Sequence, residues 1–110
     1  MSAIDEAEDR LFTSIMKHRD QIEWFKKYEC SPSRNAIWAC RDGKELKLKD
    51  MSLSHLKNAL NMLMRNHQRY RTKGFYDAIT LLRWEISYRE EYPKIVEALA
   101  EEERTVDLCL

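Results

Sequence analysis

Three cysteines, Cys30, Cys40 and Cys109, and three histidines, His18, His55 and His67, are the residues of this chain suited to nucleophilic or metal-binding chemistry. Their spacings do not assemble a site. The cysteines are odd in number and form neither a CxxC pair nor a disulfide framework, so all three read as free thiols of a reducing compartment. No two of the six stand at the short separations of a zinc knuckle. Neither His18 nor His67 has a Ser, Cys or carboxylate spaced to act as its nucleophile. Both histidines fall on apolar helical stripes, where a ring hydrogen-bonded to a tyrosine or a backbone carbonyl is the commoner arrangement. There is no HExxH and no paired-carboxylate signature, and two glycines in the whole chain nearly exclude a backbone cradle for phosphate. The expectation is a protein that is not an enzyme and carries no cofactor and no metal. A small hydrolase acting through Cys40 or His55 lacks an assignable base, orienting group or oxyanion donor.

Charge offers a different chemistry. Nineteen Lys and Arg balance nineteen Asp and Glu, which removes the bulk polycation behind non-specific nucleic-acid binding. The balance is uneven along the chain. Residues 41–73 hold Arg41, Lys44, Lys47, Lys49, Lys57, Arg65, Arg69, Arg71 and Lys73 against Asp42, Glu45 and Asp50, a block of +6 between acidic ends. Such a block can present an electropositive surface to an acidic protein or an anionic, nucleotide-type ligand, with Lys57, Arg65, Arg69 and Lys73 as its contacts. It can equally pair with the acidic ends of its own chain or of a neighbour. A second lead is the stripe Trp84, Tyr88 and Tyr92, expected at an oligomer or partner interface unless another helix of the chain covers it. Stacking of bases beside Arg83 and Arg89 is a third reading of the same rings.

The elements that position these residues follow from periodicity. Ile4, Ala7, Leu11, Ile15, Ile22 and Phe25 recur at helical steps and predict a long amphipathic first helix, capped by Ser2 and ending near Lys27. Residues 28–35, with Pro32, read as a connector. Asp42-Gly43 between two runs, the second alternating polar and apolar, predicts a β-hairpin over about residues 36–49 with a type I′ turn. One face of it carries Trp38, Cys40, Leu46 and Leu48. Ser52 or Ser54 caps a second helix reaching about Tyr70, with Leu53, Leu56, Leu60, Leu63 and His67 inward, and Gly74 is a candidate left-handed stop. A third helix has Phe75, Ile79, Leu82 and Ile86 on one face and Leu81, Trp84, Tyr88 and Tyr92 on another. Pro93 is expected to kink it or start a new helix. Lys94 to Arg104 reads as a final acidic helix, and 105–110 as a loose, flexible tail.

The run Trp38-Ala39-Cys40-Arg41-Asp42-Gly43-Lys44-Glu45-Leu46-Lys47-Leu48-Lys49-Asp50-Met51-Ser52, followed by His55-Leu56-Lys57-Asn58, resembles small phage and prophage proteins. The resemblance covers about residues 37–65. It implies a genetic setting and supplies no mechanism or functional residue. The same motif also has a purely architectural account: Asp50 or Ser52 caps the helix, Met51 fills the corner, and His55 and Asn58 hold it by hydrogen bonds.

With 110 residues, the chain is long enough for one core. The expected architecture is mostly α within an α+β class: a single helical domain over 1–104, three to four helices and one hairpin. Small size favours a homo-oligomer. No apolar run spans a bilayer and the N-terminus lacks a basic start, so a cytoplasmic protein is expected, in the host cell if phage-encoded. The expected function is non-enzymatic binding of the phage accessory or counter-defence kind, occluding or sequestering a host component; a nucleic-acid-binding or nucleotide-binding module is the alternative.

Overall fold

A computed structural model describes residues 3–66 and 72–109. Helix α1 spans Ala3–Glu29, strand β1 Ile37–Ala39, strand β2 Glu45–Lys47, helix α2 Leu53–Arg65 and helix α3 Lys73–Cys109. Two short 3₁₀ turns, Pro32–Asn35 and Leu48–Asp50, join α1 to the hairpin and the hairpin to α2. The fold is therefore mostly helical α+β with one antiparallel hairpin, as the periodicity predicts.

No glycine or proline interrupts α1, and Lys26 and Lys27 in its last turn favour the negative end of the helix dipole. Ile15, Phe25 and Tyr28 are the buried members of its stripe. The chain leaves α1 where the Ser31 amide donates to the Tyr28 carbonyl at 2.8 Å. Ser31 then caps the first 3₁₀ turn by accepting from the Ser33 amide at 3.1 Å, with Pro32 preset for the first helical position.

The hairpin pairs Ile37 with Lys47, Trp38 with Leu46 and Ala39 with Glu45. Trp38 and Leu46 thus share the inner face, and Ile37, Ala39, Glu45 and Lys47 point outward. The turn differs from the type I′ expectation. Gly43 has φ +85° and no other described residue has a positive φ, so Asp42 does not take the left-handed conformation that type I′ requires. The Gly43 amide donates to the Cys40 carbonyl at 3.0 Å and the Cys40 amide to the Lys44 carbonyl at 2.8 Å, a three-residue loop with glycine in the left-handed position. Asp42 accepts from the Lys44 amide at 3.0 Å, which stabilises that loop from its own side chain.

Ser52 caps α2 by accepting from the His55 amide at 3.2 Å. The helix ends before the expected reach to about Tyr70: Asn66 closes it, its side chain donating to the Met62 carbonyl at 2.8 Å. Gly74 is not the stop; it lies in the first turn of α3, where Thr72 caps by accepting from the Phe75 amide at 3.2 Å. Ser2 and His67 lie outside the described residues. No new helix starts at Pro93. Instead α3 runs through it, leaving the Arg89 carbonyl without an intrahelical donor. Residues 105–109 continue this helix rather than forming a loose tail, and Thr105 donates to the Glu101 carbonyl at 3.0 Å.

Leu48, Met51, Leu56, Ala59 and Leu82 form the core between hairpin, α2 and α3, with Trp38, Leu46, Leu63 and Ile86 against it. Met51 fills the corner between hairpin and α2, as expected of it. Full burial of Leu56 and Leu82 contributes roughly 1.5–3 kcal/mol each. Helices α1 and α3 run antiparallel: Tyr28 meets Glu85 near one end and His18 meets Glu102 near the other. The hairpin and α2 pack beside only the first part of α3, so the molecule is a head on a two-helix stalk, 60 × 27 × 21 Å overall.

Candidate functional site

Two polar centres emerge from this arrangement, one buried and one open. The buried centre is Glu85, fully enclosed on α3. Its Oε1 accepts from Arg34 Nε at 2.8 Å and from the Tyr28 hydroxyl at 3.1 Å. Its Oε2 accepts from Arg34 Nη2 and from Arg89 Nε, both at 3.2 Å. The rest of the Arg89 guanidinium donates to the carbonyls of Met51, of Leu48 at 2.9 Å and of Lys49 at 3.0 Å. One carboxylate therefore fastens α1, the first 3₁₀ turn and α3, and Arg89 extends the tie to the corner before α2. Burial, and then the adjacent Glu85 carboxylate, push the Tyr28 hydroxyl above its ordinary range. The hydrogen bonds that Arg34 donates to Glu85 raise the guanidinium above its ordinary value. Both oxygens of the carboxylate are hydrogen-bonded and it faces two guanidinium groups, which is the condition under which a buried carboxylate is tolerated.

An aromatic cluster stands against this node. Trp24, Phe25 and Tyr28 of α1 meet Trp84, Tyr88 and Tyr92 of α3, with Trp24 stacked on Tyr28 at 5.5 Å and Phe25 packed on Tyr92 at 5.3 Å. The Arg34 guanidinium lies over the Tyr88 ring at 4.5 Å. The stripe Trp84, Tyr88 and Tyr92 is thus covered largely from within the chain, and what faces solvent is the edge formed by Trp24 and Trp84. His18 also has an internal partner, though neither a tyrosine nor a carbonyl. Its Nδ1 pairs with Glu102 of α3, and Arg19 pairs with Glu103 at 3.1 Å beside it. Burial raises the Glu102 carboxyl, but hydrogen bonds from Ser14 and His18 outweigh it and hold the group below the usual carboxylate value.

The open centre is the groove between the hairpin and α2. Trp38, Cys40, Arg41, Asp42, His55, Asn58, Met62 and Arg65 line a hollow of about 530 Å³. A second hollow of about 610 Å³ adjoins it at Asn58, Asn61, Met64 and Arg65. Helical spacing explains the α2 side: His55, Asn58, Met62 and Arg65 follow at three- and four-residue steps and so share one face. His55 and Asn58 do not hold the corner as the architectural account requires. Among the described residues neither side chain has a hydrogen-bond partner, and the Arg89 contacts hold the corner instead. Trp38, Asp42, His55 and Asn58 thus converge on this groove, whereas Leu48, Met51 and Leu56 are buried in the core.

Of the four expected basic contacts, the groove gathers one. Arg65 lines it together with Arg41. Lys57 turns the other way and pairs with Glu90 of α3. Lys73 opens α3 and is exposed, and Arg69 lies outside the described residues. Among the described residues Arg41, Lys44, Lys47, Lys49 and Arg65 have no ion partner, whereas Arg19, Arg34, Lys57 and Arg89 are paired. Cys40 in the groove and the exposed Cys30 are free thiols. No group of three or more His, Cys, Asp or Glu among the described residues is placed to hold a metal ion, and no described helix is long and apolar enough to cross a membrane.

The Glu85 node was missed by sequence reasoning, though a signal exists. Glu85 stands four residues after Leu81 and three after Leu82, inside the apolar pattern of α3, and a carboxylate at such a position needs a buried partner. Nothing in the connector singles out Arg34. Comparison of the chain with protein-family models, curated proteins and solved structures finds no match.

Proposed function

We propose that this chain is a small binding protein without catalytic activity, which holds an anionic partner on the face shared by the hairpin and α2. The observation that supports this reading is the contrast in pairing. Arg34 and Arg89 are held by Glu85 within the chain, while Arg41 and Arg65 edge the groove with no ion partner among the described residues, and Lys44, Lys47 and Lys49 elsewhere on the hairpin and its corner are likewise unpaired. Asp42 and Glu45 interleave with these cations, a mixed pattern that suits an acidic protein surface better than a continuous phosphate backbone. In the genetic setting implied by the phage resemblance, the protein acts in the host cytoplasm as an accessory or counter-defence factor that occludes or sequesters a host component.

A nucleotide-type ligand is the second reading. It is favoured by the size of the groove, which falls within the range of small-molecule sites, and by the unpartnered His55 and Asn58 beside two arginines. Fluorescence anisotropy with a labelled acidic peptide and a labelled single-stranded oligonucleotide, at two salt concentrations, tests both. The peptide is expected to bind the wild-type chain and to lose affinity for the Arg41→Glu/Arg65→Glu variant at unchanged helicity. Equal affinity for both chains would sink the proposal. Tighter binding of the oligonucleotide, with a steep linear fall against the logarithm of salt, would favour the nucleic-acid alternative.

A further inference from the structure

The head and the far end of the stalk are complementary in shape, polarity and charge. By helical rise α3 is about 55 Å long and α1 about 40 Å, whereas α2 is only about 20 Å. The hairpin and α2 therefore cover one half of a stalk face and leave the other half bare. That bare half carries apolar side chains in the open: Phe12 is 66% exposed, Met16 47% and Val96 43%. Phe12 walls, with Ile15 and Val106, a hollow of about 300 Å³ edged by Arg19, Glu103 and Asp107. The head also exposes apolar surface, Ile37 at 56% and Met64 at 41%.

Charge selects what fits there. Residues 6–10 and 97–107, both at the far end of the stalk, hold eight acidic side chains against two basic ones. Residues 41–66, in the head, hold six basic against three acidic. Glu97, Glu101 and Asp107 have no ion partner among the described residues, matching the unpartnered cations of the head. We propose that two copies of this chain lie antiparallel, the basic hairpin–α2 face of each receiving the acidic stalk end of the other. A two-fold axis then makes both contacts identical and closes the assembly, whereas a parallel pair would bring like charges together. A face of 60 × 27 Å has room for the ~800 Å² that each partner buries in an ordinary specific interface. The proposal rests on the reading of the hairpin–α2 face as an acceptor of anionic groups, and adds that the second copy occupies it until a stronger partner displaces it.

Light scattering and sedimentation on the full chain test this. The wild-type chain is expected to have the mass of a dimer at about 50 mM salt and to dissociate at least about tenfold more readily at about 500 mM, since both contacts are charged and partly exposed. Arg41→Glu/Arg65→Glu breaks the dimer, and so does Glu97→Lys/Asp107→Lys. The chain carrying all four reversals dimerises again, because each reversed head meets a reversed tail. That rescue separates lost charge complementarity from lost folding. A wild-type chain that is monomeric at both salt concentrations, or a tail variant that still dimerises, overturns the proposal. Acidic-peptide binding by a chain that never dimerises would overturn the dimer alone. A dimer that follows this variant pattern, but whose head stays blind to the peptide even in the tail variant, would overturn the proposed function alone.

Discussion

Arginine does two different jobs in this molecule, in regions separated by little more than the hairpin. Around Glu85, Arg34 and Arg89 are largely buried; both donate to its carboxylate, Arg89 also donates to backbone carbonyls, and Arg34 lies over the Tyr88 ring. Along the hairpin and α2, Arg41 and Arg65 edge an open groove and have no partner among the described residues. The first arrangement joins elements that have few apolar contacts of their own, such as the short turn carrying Arg34. The second contributes nothing to holding the fold, which leaves it open to a ligand. A chain of zero formal charge thus separates charge that fastens from charge that is on offer.

Breaking that contrast at its strongest point means removing Glu85. Glu85→Ala would leave two guanidinium groups without their carboxylate and is expected to cost about 3–5 kcal/mol in chemical denaturation followed by circular dichroism. At about 500 mM salt, where the proposed dimer is dissociated in both chains, Arg41→Glu/Arg65→Glu should change the same stability by less than about 0.5 kcal/mol. Losses of equal size in the two variants would erase the distinction between the regions.

A smaller effect is expected at the stalk. Ionised Glu102 is favoured in the fold, so around the ordinary carboxylate value the folded chain binds fewer protons than the unfolded one. Its contribution is present above that value and is lost as pH falls through its own lowered one. Thermal melts should show Glu102→Gln less stable than wild type at neutral pH, with the gap closing in acid. A gap that stays constant from neutral to acid would assign the loss to packing rather than to the charge. The smallest effect belongs to Lys57, whose bond to Glu90 is about half exposed. Lys57→Ala should cost about 0.2–1 kcal/mol in low salt and less in high salt, and should leave anion binding unchanged. A loss of anion binding would return Lys57 to the binding face from which its pairing removes it.

The head was the more legible part of the chain. Asp42-Gly43, the alternation of Glu45 to Leu48 and the cap at Ser52 are local signals, and each leads to the element it predicts. What local signals do not carry is where an element ends when tertiary contacts intervene. The α2 rhythm runs past Arg65, yet Asn66 turns back on Met62. Pro93 is a strong local breaker, yet the long contact with α1 keeps α3 continuous. The site was readable only in part for a related reason. The +6 block is visible in one dimension, but whether a given lysine faces the groove or α3 depends on helical phase and on which neighbour carries an acid. Arg65 and Lys57, eight residues apart on one helix, fall on opposite sides of that choice.

The central claim is that the hairpin–α2 face is where a partner binds. It is tested most directly by following backbone amide chemical shifts of the labelled chain as the acidic peptide is added. The largest changes are expected at Arg41, His55, Asn58 and Arg65. Changes centred on Trp24 and Trp84, with those four residues unmoved, would contradict it.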